Sequence, residues 1–143
     1  MEFAHFLCEG FKKARMKSEC LVDSDVFIDF LRGRSEAIEF LKAQFPRIHL
    51  SVISVAELYS GVRDGDERIC LEAALDACHV IDVSNAIAKR AGLYKRSFAK
   101  SHGVNLPDAL IAASAKEYGL SLATLNLKHF PMFKDVFVPY KKA

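Results

Sequence analysis

From residue 19 onward, short aliphatic or β-branched runs alternate with longer stretches in which apolar residues recur at helical spacing. Glu19 to Val22 reads as a short buried strand. Asp23-Ser24-Asp25 then turns the chain into a helix carrying Val26, Phe27, Phe30 and Leu31 on one face, closed by Gly33. The helical pattern returns from Ser35 to Phe45 and stops at Pro46, Ile48 to Ile53 forms a second strand, and Ser54 opens another helix. Asp66 to Ala77 is helical, His79 to Val83 is strand, and Ser84 to Ser101 is the longest helix, with Ile87, Ala91, Tyr94 and Phe98 in one stripe. Pro107 to Tyr118 is a helix capped by Gly119, followed by strands at Leu120 to Thr124 and Val136 to Val138.

Strands joined by helices imply a mostly parallel central sheet of four to five strands with helices on both faces, because parallel neighbours need crossover connections that are usually helical. The expected fold is therefore an α/β three-layer sandwich. Residues 1–15 differ in pattern: Phe3, Phe6, Leu7 and Phe11 share a helical face and Lys12, Lys13 and Arg15 follow. They read as a helical N-terminal extension, with translation expected to begin at Met16 and residues 16–143 forming a single domain.

Composition narrows this picture only modestly. At 143 residues, 51% hydrophobic and 27% charged, the chain matches one globular domain and leaves no room for a long disordered tail. A net charge of +2 is too small to announce a nucleic-acid binder by bulk electrostatics. Cys8, Cys20, Cys70 and Cys78 contain no CxxC pair, so reduced, mostly buried thiols are expected rather than a zinc site or disulfide framework. No apolar run approaches the ~18 residues of a membrane span, and the N-terminus lacks the order of a secretory signal, so a cytoplasmic protein is expected.

The candidate chemistry lies in three acids. In an open parallel sheet the functional crevice forms at the carboxyl ends of the strands. Asp23 directly follows the first strand, Glu57 sits in the first turn of the helix after the second, and Asp108 sits in the first turn of the helix before the fourth. Each also has an ordinary explanation. Ser54 to Glu57 has the form of a capping box, Asp108 complements a helix dipole, and Asp23 or Asp25 can cap the first helix. Those explanations do not require all three acids to fall on one edge of one sheet, whereas a shared site does. Gathered carboxylates raise one another's pKa and are stabilised as anions by a cation. An all-oxygen ligand set suits magnesium or manganese rather than zinc, and such an ion beside a phosphate serves phosphodiester hydrolysis.

These residues carry a resemblance. Leu21 to Asp29 (LVDSDVFID), Ser51 to Leu58 (SVISVAEL) and Asp108 to Ala113 (DALIAA) resemble, in order and spacing, the three successive motifs of PIN domains, over roughly Cys20 to Val138. The likeness is greatest to the VapC-like toxins of toxin–antitoxin pairs. It implies a PIN-like sandwich and a Mg²⁺- or Mn²⁺-dependent ribonuclease in which Asp23, Glu57 and Asp108 hold the metal and activate water. Ser24 would orient water or phosphate. Thr124-Leu125-Asn126 with Phe130 matches a family form in which asparagine replaces a fourth acid. Asn126 adds no charge, which puts a second firmly bound metal in doubt. Asp25 stands where the family often has asparagine, as a supporting acid or an N-cap. Asp29 is expected to be a helix-surface group paired with Arg32 or Arg34.

For RNA, Lys89, Arg90, Arg96 and Lys128 are the candidate phosphate contacts, although a solvated helix face is the commoner meaning of such residues. His102 and His129 are read as surface groups. Phe27, Phe30, Phe40, Phe45, Leu58 and Tyr59 either fill the core or form an apolar interface patch. The resemblance implies a homodimer and a cognate antitoxin whose apolar arm blocks the site. Two other activities stay open at this stage: a housekeeping RNA-processing nuclease, and a catalytically silent module that binds RNA or protein.

Overall fold

The structure, a computed structural model, describes residues 19–141. The N-terminal extension, the start at Met16 and Cys8 lie outside the described residues. Within them the chain runs β1 (Cys20–Val22), α1 (Ser24–Leu31), α2 (Ser35–Gln44), β2 (Ile48–Ser51), α3 (Val52–Gly61), α4 (Asp66–Asp76) and β3 (His79–Ile81). It continues through α5 (Asn85–His102), α6 (Leu106–Tyr118), β4 (Ser121–Ala123), a 3₁₀ turn (Leu127–His129) and β5 (Val136–Phe137). The strands form one sheet in the order β3-β2-β1-β4-β5, with every pairing parallel. The expected α/β class and sheet are thus observed.

Side-chain alternation on the strands divides the core between two faces. Cys20, Val22, Ile48 and Leu50 pack with Val26, Phe27, Leu41, Leu58 and Leu71, which places α1 to α4 over one face. Leu21, Ile81 and Leu122 face the opposite way against Ile111, Ala112 and Ala115 of α6. Helix α5 completes that layer by packing Ile87 and Ala91 against Ala109 and Ala113. Small residues on α6 permit this close approach: Ile111 to Ala115 (IAASA) is fully buried. Among the described residues no helix is long and apolar enough to cross a membrane.

The large apolar side chains of the first half mostly fill this core. Phe27 and Leu58 are buried, Phe30, Phe40 and Phe45 are half-buried against the α1 to α4 cluster, and Tyr59 is exposed. Cys20, Cys70 and Cys78 are free thiols, and burial pushes Cys20 and Cys78 up to about 12, so they are inert at neutral pH.

Two local readings are corrected. β2 ends at Ser51 rather than Ile53, and α3 starts one turn earlier than the Ser54 capping box requires. Ser51 is the N-cap, its Oγ accepting from Ile53 N at 3.0 Å. Ser54 is buried inside the helix, with its Oγ unpartnered among the described residues. The β-branched Val52 and Ile53 look like strand by propensity, but a serine placed to cap overrides that weak preference. Asp29 is not a surface group: it is buried, accepting from Tyr140 Oη at 2.8 Å and lying 3.6 Å from Arg34 Nε.

Candidate active site

The strand order reverses across β1 and β4: the chain builds outward from β1 to β3, then returns to the other side of β1 for β4. In open α/β sheets the crevice at such a switch point, outside the strand carboxyl ends, is where ligands bind. Val22 pairs with Ala123 in register, so the next residues, Asp23 and Thr124, emerge side by side. Asp23 N donates to Ala123 O at 2.9 Å, and Thr124 Oγ donates to Asp23 Oδ2 at 2.8 Å.

Asp23 is the N-cap of α1, accepting from Ser24 N at 2.8 Å. Asp25, which sequence left as either an N-cap or a supporting acid, is therefore not the cap. Its Oδ2 accepts from Leu125 N at 3.0 Å and Asn126 Nδ2 at 3.1 Å and lies 3.4 Å from Thr124 Oγ. Asn126 N in turn donates to Thr124 Oγ at 3.1 Å. The segment after β4 thus clasps the first turn of α1 through Thr124 and Asn126, both among the predicted supporting residues.

Because α3 begins at Val52, Glu57 lies in its second turn rather than the expected first, and there its Oε1 accepts from Ser24 Oγ at 2.9 Å. Asp108 is in the first turn of α6, whose N-cap Asn105 accepts from Asp108 N at 2.8 Å. Its carboxylate Oδ2 lies 3.3 Å from His129 Nδ1. His129 was read from sequence as a surface group. Its position three residues after Asn126, in the turn that leaves the catalytic edge, is the only signal that sequence offered.

Electrostatics tie these acids together. Burial pushes Asp23 up to about 7, helped by the charges of Asp25 and Asp108 and opposed by the hydrogen bonds from Thr124 and Ser24. Asp25 is also raised by burial, against the bonds from Leu125, Asn126 and Thr124. Asp108 is raised by burial and by the charges of Glu57 and Asp25, while His129 acts the other way. Acids so coupled are hard to keep anionic together without added positive charge.

Among the described residues no three His, Cys, Asp or Glu side chains are grouped closely enough to hold a metal ion by themselves. The fit to a hard divalent cation rests on other features. Asp25 Oδ1 is buried with no hydrogen-bond partner among the described residues, the cluster is rich in oxygen donors, and its acids raise one another's pKa. Magnesium keeps several waters and takes only one or two carboxylates directly, which suits acids set around a cleft rather than closed into a cage.

The basic candidates do not converge in the same way. Lys128 lies in the Leu127–His129 turn beside the site and is exposed. Lys89 and Arg96 are exposed on α5, and Arg90 is half-buried there with its Nε unpartnered among the described residues. His102 bonds Ser101 and packs edge-on against Phe98, apart from the acids.

Residues 20–134 match the family model described as PIN domain. The chain is 41% identical over 123 residues to Ribonuclease VapC10 of Mycobacterium tuberculosis, covering 84% of this chain and 92% of the relative. It is 36% identical over 124 residues to Ribonuclease VapC19 of the same organism, covering 84% and 98%. A solved toxin–antitoxin complex from Klebsiella pneumoniae contains a chain with the same fold at TM-score 0.76 and 31% identity, covering 87% of this chain and all (100%) of that one. FitAcB from Neisseria gonorrhoeae matches at TM-score 0.67 and 26% identity, covering 84% and 97%. With this family match spanning both strands that flank the Asp23–Thr124 crevice, the chain belongs to the PIN domain family.

Proposed function

We propose that this protein is a divalent-metal-dependent endoribonuclease, the toxin of a toxin–antitoxin pair. The observation that carries the reading is the junction of Asp23 and Thr124 at the β1/β4 switch point, with Asp25, Glu57 and Asp108 in electrostatic reach. The ribonuclease relatives and the toxin–antitoxin neighbour support it.

Asp23, Glu57 and Asp108 would hold Mg²⁺ or Mn²⁺, with Asp25 in support. When bound, the ion lowers the pKa of water and offsets charge on the phosphoryl oxygens. The protein's own groups do the rest. Thr124 and Ser24 N fix the Asp23 carboxylate, and Ser24 Oγ fixes Glu57. A carboxylate beside the ion would take the proton of the attacking water. The water oxygen bonds to phosphorus, the P–O ester bond breaks, and the departing oxygen is protonated. Asn126 keeps its amide on Asp25 and adds no charge, which favours one ion over two.

Exposed Lys128, and Lys89, Arg90 and Arg96 of α5, are the proposed phosphate contacts. With so small a net charge, binding should be modest and fall as salt rises. Single-stranded RNA should be preferred to duplex DNA, because recessed acids must reach an exposed phosphodiester. A groove of about 560 Å³ lined by Ile28, Leu31, Leu58, Val62, Arg32 and Glu57 is the proposed seat of the antitoxin arm, placing it against a metal-site acid. A homodimer and a cytoplasmic location complete the reading.

The test is cleavage of labelled single-stranded RNA with Mn²⁺ against EDTA, comparing the parent with Asp23→Asn and Asp108→Asn. Cleavage should need the metal and fall by at least ~100-fold in both variants, since loss of even a metal ligand's outer partner typically costs ~10- to 100-fold. Equal activity in all three proteins, or activity in EDTA, removes the metal-site proposal.

A further inference from the structure

We infer that His129 is a positioning residue for Asp108, fixing the orientation of that carboxylate for the ion. The inference rests on the metal-dependent reading above and concerns a residue outside the acidic motifs. The other acids each have hydroxyl or amide donors: Asp23 has Thr124 and Ser24 N, Asp25 has Leu125 N and Asn126, and Glu57 has Ser24 Oγ. The Asp108 carboxylate has a side-chain hydrogen bond from Asn105 on its own helix and, from another element, His129 Nδ1 at 3.3 Å.

An ionised carboxylate can only accept, so the ring must present N–H at Nδ1. The neutral Nδ1–H tautomer and the imidazolium both do so, and the imidazolium adds an ion pair with the carboxylate. Although the His129 side chain is 52% exposed, its backbone is anchored. His129 N donates to Asn126 O at 3.0 Å, and the next residue, Phe130, is buried and donates from its N to Leu127 O at 3.0 Å. Asn126 is itself bonded to Asp25 and Thr124. The turn after β4 thus reaches α1 through Asn126 and α6 through His129, setting the acids on two helices relative to each other. Outer groups that orient a metal's carboxylate or histidine ligands tune affinity in this way.

The opposite role makes the opposite prediction. If His129 competed with the ion for Asp108, its removal would tighten binding. The experiment measures Mn²⁺ affinity by titration calorimetry on the full chain for the parent, Asp108→Asn, His129→Ala and His129→Asn. It also measures kcat and KM on single-stranded RNA and the urea midpoint without metal. His129→Ala should weaken Mn²⁺ binding by about 10- to 100-fold and lower kcat more than KM. His129→Asn, whose Nδ2 stands in for Nδ1, should recover most of both. An alanine variant that binds Mn²⁺ as tightly as the parent, or more tightly, overturns the inference while leaving the metal reading intact. So does an asparagine variant that keeps the parent's urea midpoint yet recovers nothing. If Asp108→Asn binds Mn²⁺ like the parent, the metal reading itself fails and takes the inference with it.

Discussion

The Thr124 hydroxyl donates to the Asp23 carboxylate at 2.8 Å across a sequence separation of 101 residues. Parallel pairing of β1 with β4 makes that contact, since Val22 and Ala123 are the last residues in register before the two side chains diverge from the sheet. Thr124 is fully buried and also accepts from Asn126 N. Thr124→Val keeps shape and removes the hydroxyl, leaving Asp23 Oδ2 with one donor fewer and Asn126 N without that acceptor. RNA cleavage should fall by ~10- to 100-fold with the fold retained by circular dichroism, while Thr124→Ser keeps most activity. A valine variant as active as the parent would mean that Asp23 needs no such orientation.

Raised carboxylates make stability depend on pH and on metal in opposite directions. Asp23 sits at about 7 in the folded protein, against an unfolded value of roughly 3.9. The folded state binds that proton more tightly, so the contribution is fully present below the unfolded value and is lost as pH rises through about 7. Asp25 and Asp108 are shifted in the same sense. Metal-free protein should therefore lose thermal stability as pH rises from about 5 to 8. Added Mn²⁺, which binds the deprotonated acids, should raise Tm more at pH 8 than at pH 5.5. Scanning fluorimetry at both pH values, with and without Mn²⁺, checks this. An equal gain at both would place the ion elsewhere.

How far the sequence reached depends on whether a feature was local. The strand-helix alternation, the glycine cap at Gly119 and the buried stripe of α5 are local patterns, and each is present. The three acids were candidates because Asp23 follows β1 directly and Glu57 and Asp108 lie near the starts of helices. What sequence could not rank were alternatives separated by a single turn. Ser51 and Ser54 are three residues apart and both can cap, and only the length of β2, fixed by its pairing with β1 and β3, chose Ser51. Asp29 looked like a surface acid because its hydroxyl partner, Tyr140, lies 111 residues away. His129 was passed over for the same reason: its meaning comes from Asp108 on another element.

Asp29 offers a test of fold alone. It is 4% exposed, and Tyr140 Oη donates to it at 2.8 Å, holding the end of the chain beyond β5 against α1. Tyr140→Phe removes that donor and should cost about 1–3 kcal/mol, the range for a buried charged acceptor losing a partner. Cleavage per folded molecule should be unchanged, because the hydroxyl of Tyr140 donates to Asp29 rather than to a site acid. Urea denaturation gives the stability and single-turnover cleavage the activity. A loss of activity without a loss of stability would show that this contact serves the site rather than the fold.

The start of α3 can be settled by paired alanine variants, because the two serines have opposite environments. Ser51 Oγ satisfies a free helix donor, Ile53 N, at 3.0 Å, so Ser51→Ala should cost about 1 kcal/mol or somewhat more, as N-cap losses do. Ser54 Oγ is buried without a partner among the described residues. Ser54→Ala should therefore be neutral or stabilising by up to ~1 kcal/mol, since it removes a desolvated hydroxyl and adds helix propensity. The capping box from Ser54 to Glu57 requires the reverse order. It would also leave Glu57 bonded back to its own helix start, whereas the structure directs it to Ser24. Urea denaturation of the two variants decides between them. A larger loss for Ser54→Ala would move the start of α3 by one turn and take Glu57 away from the site.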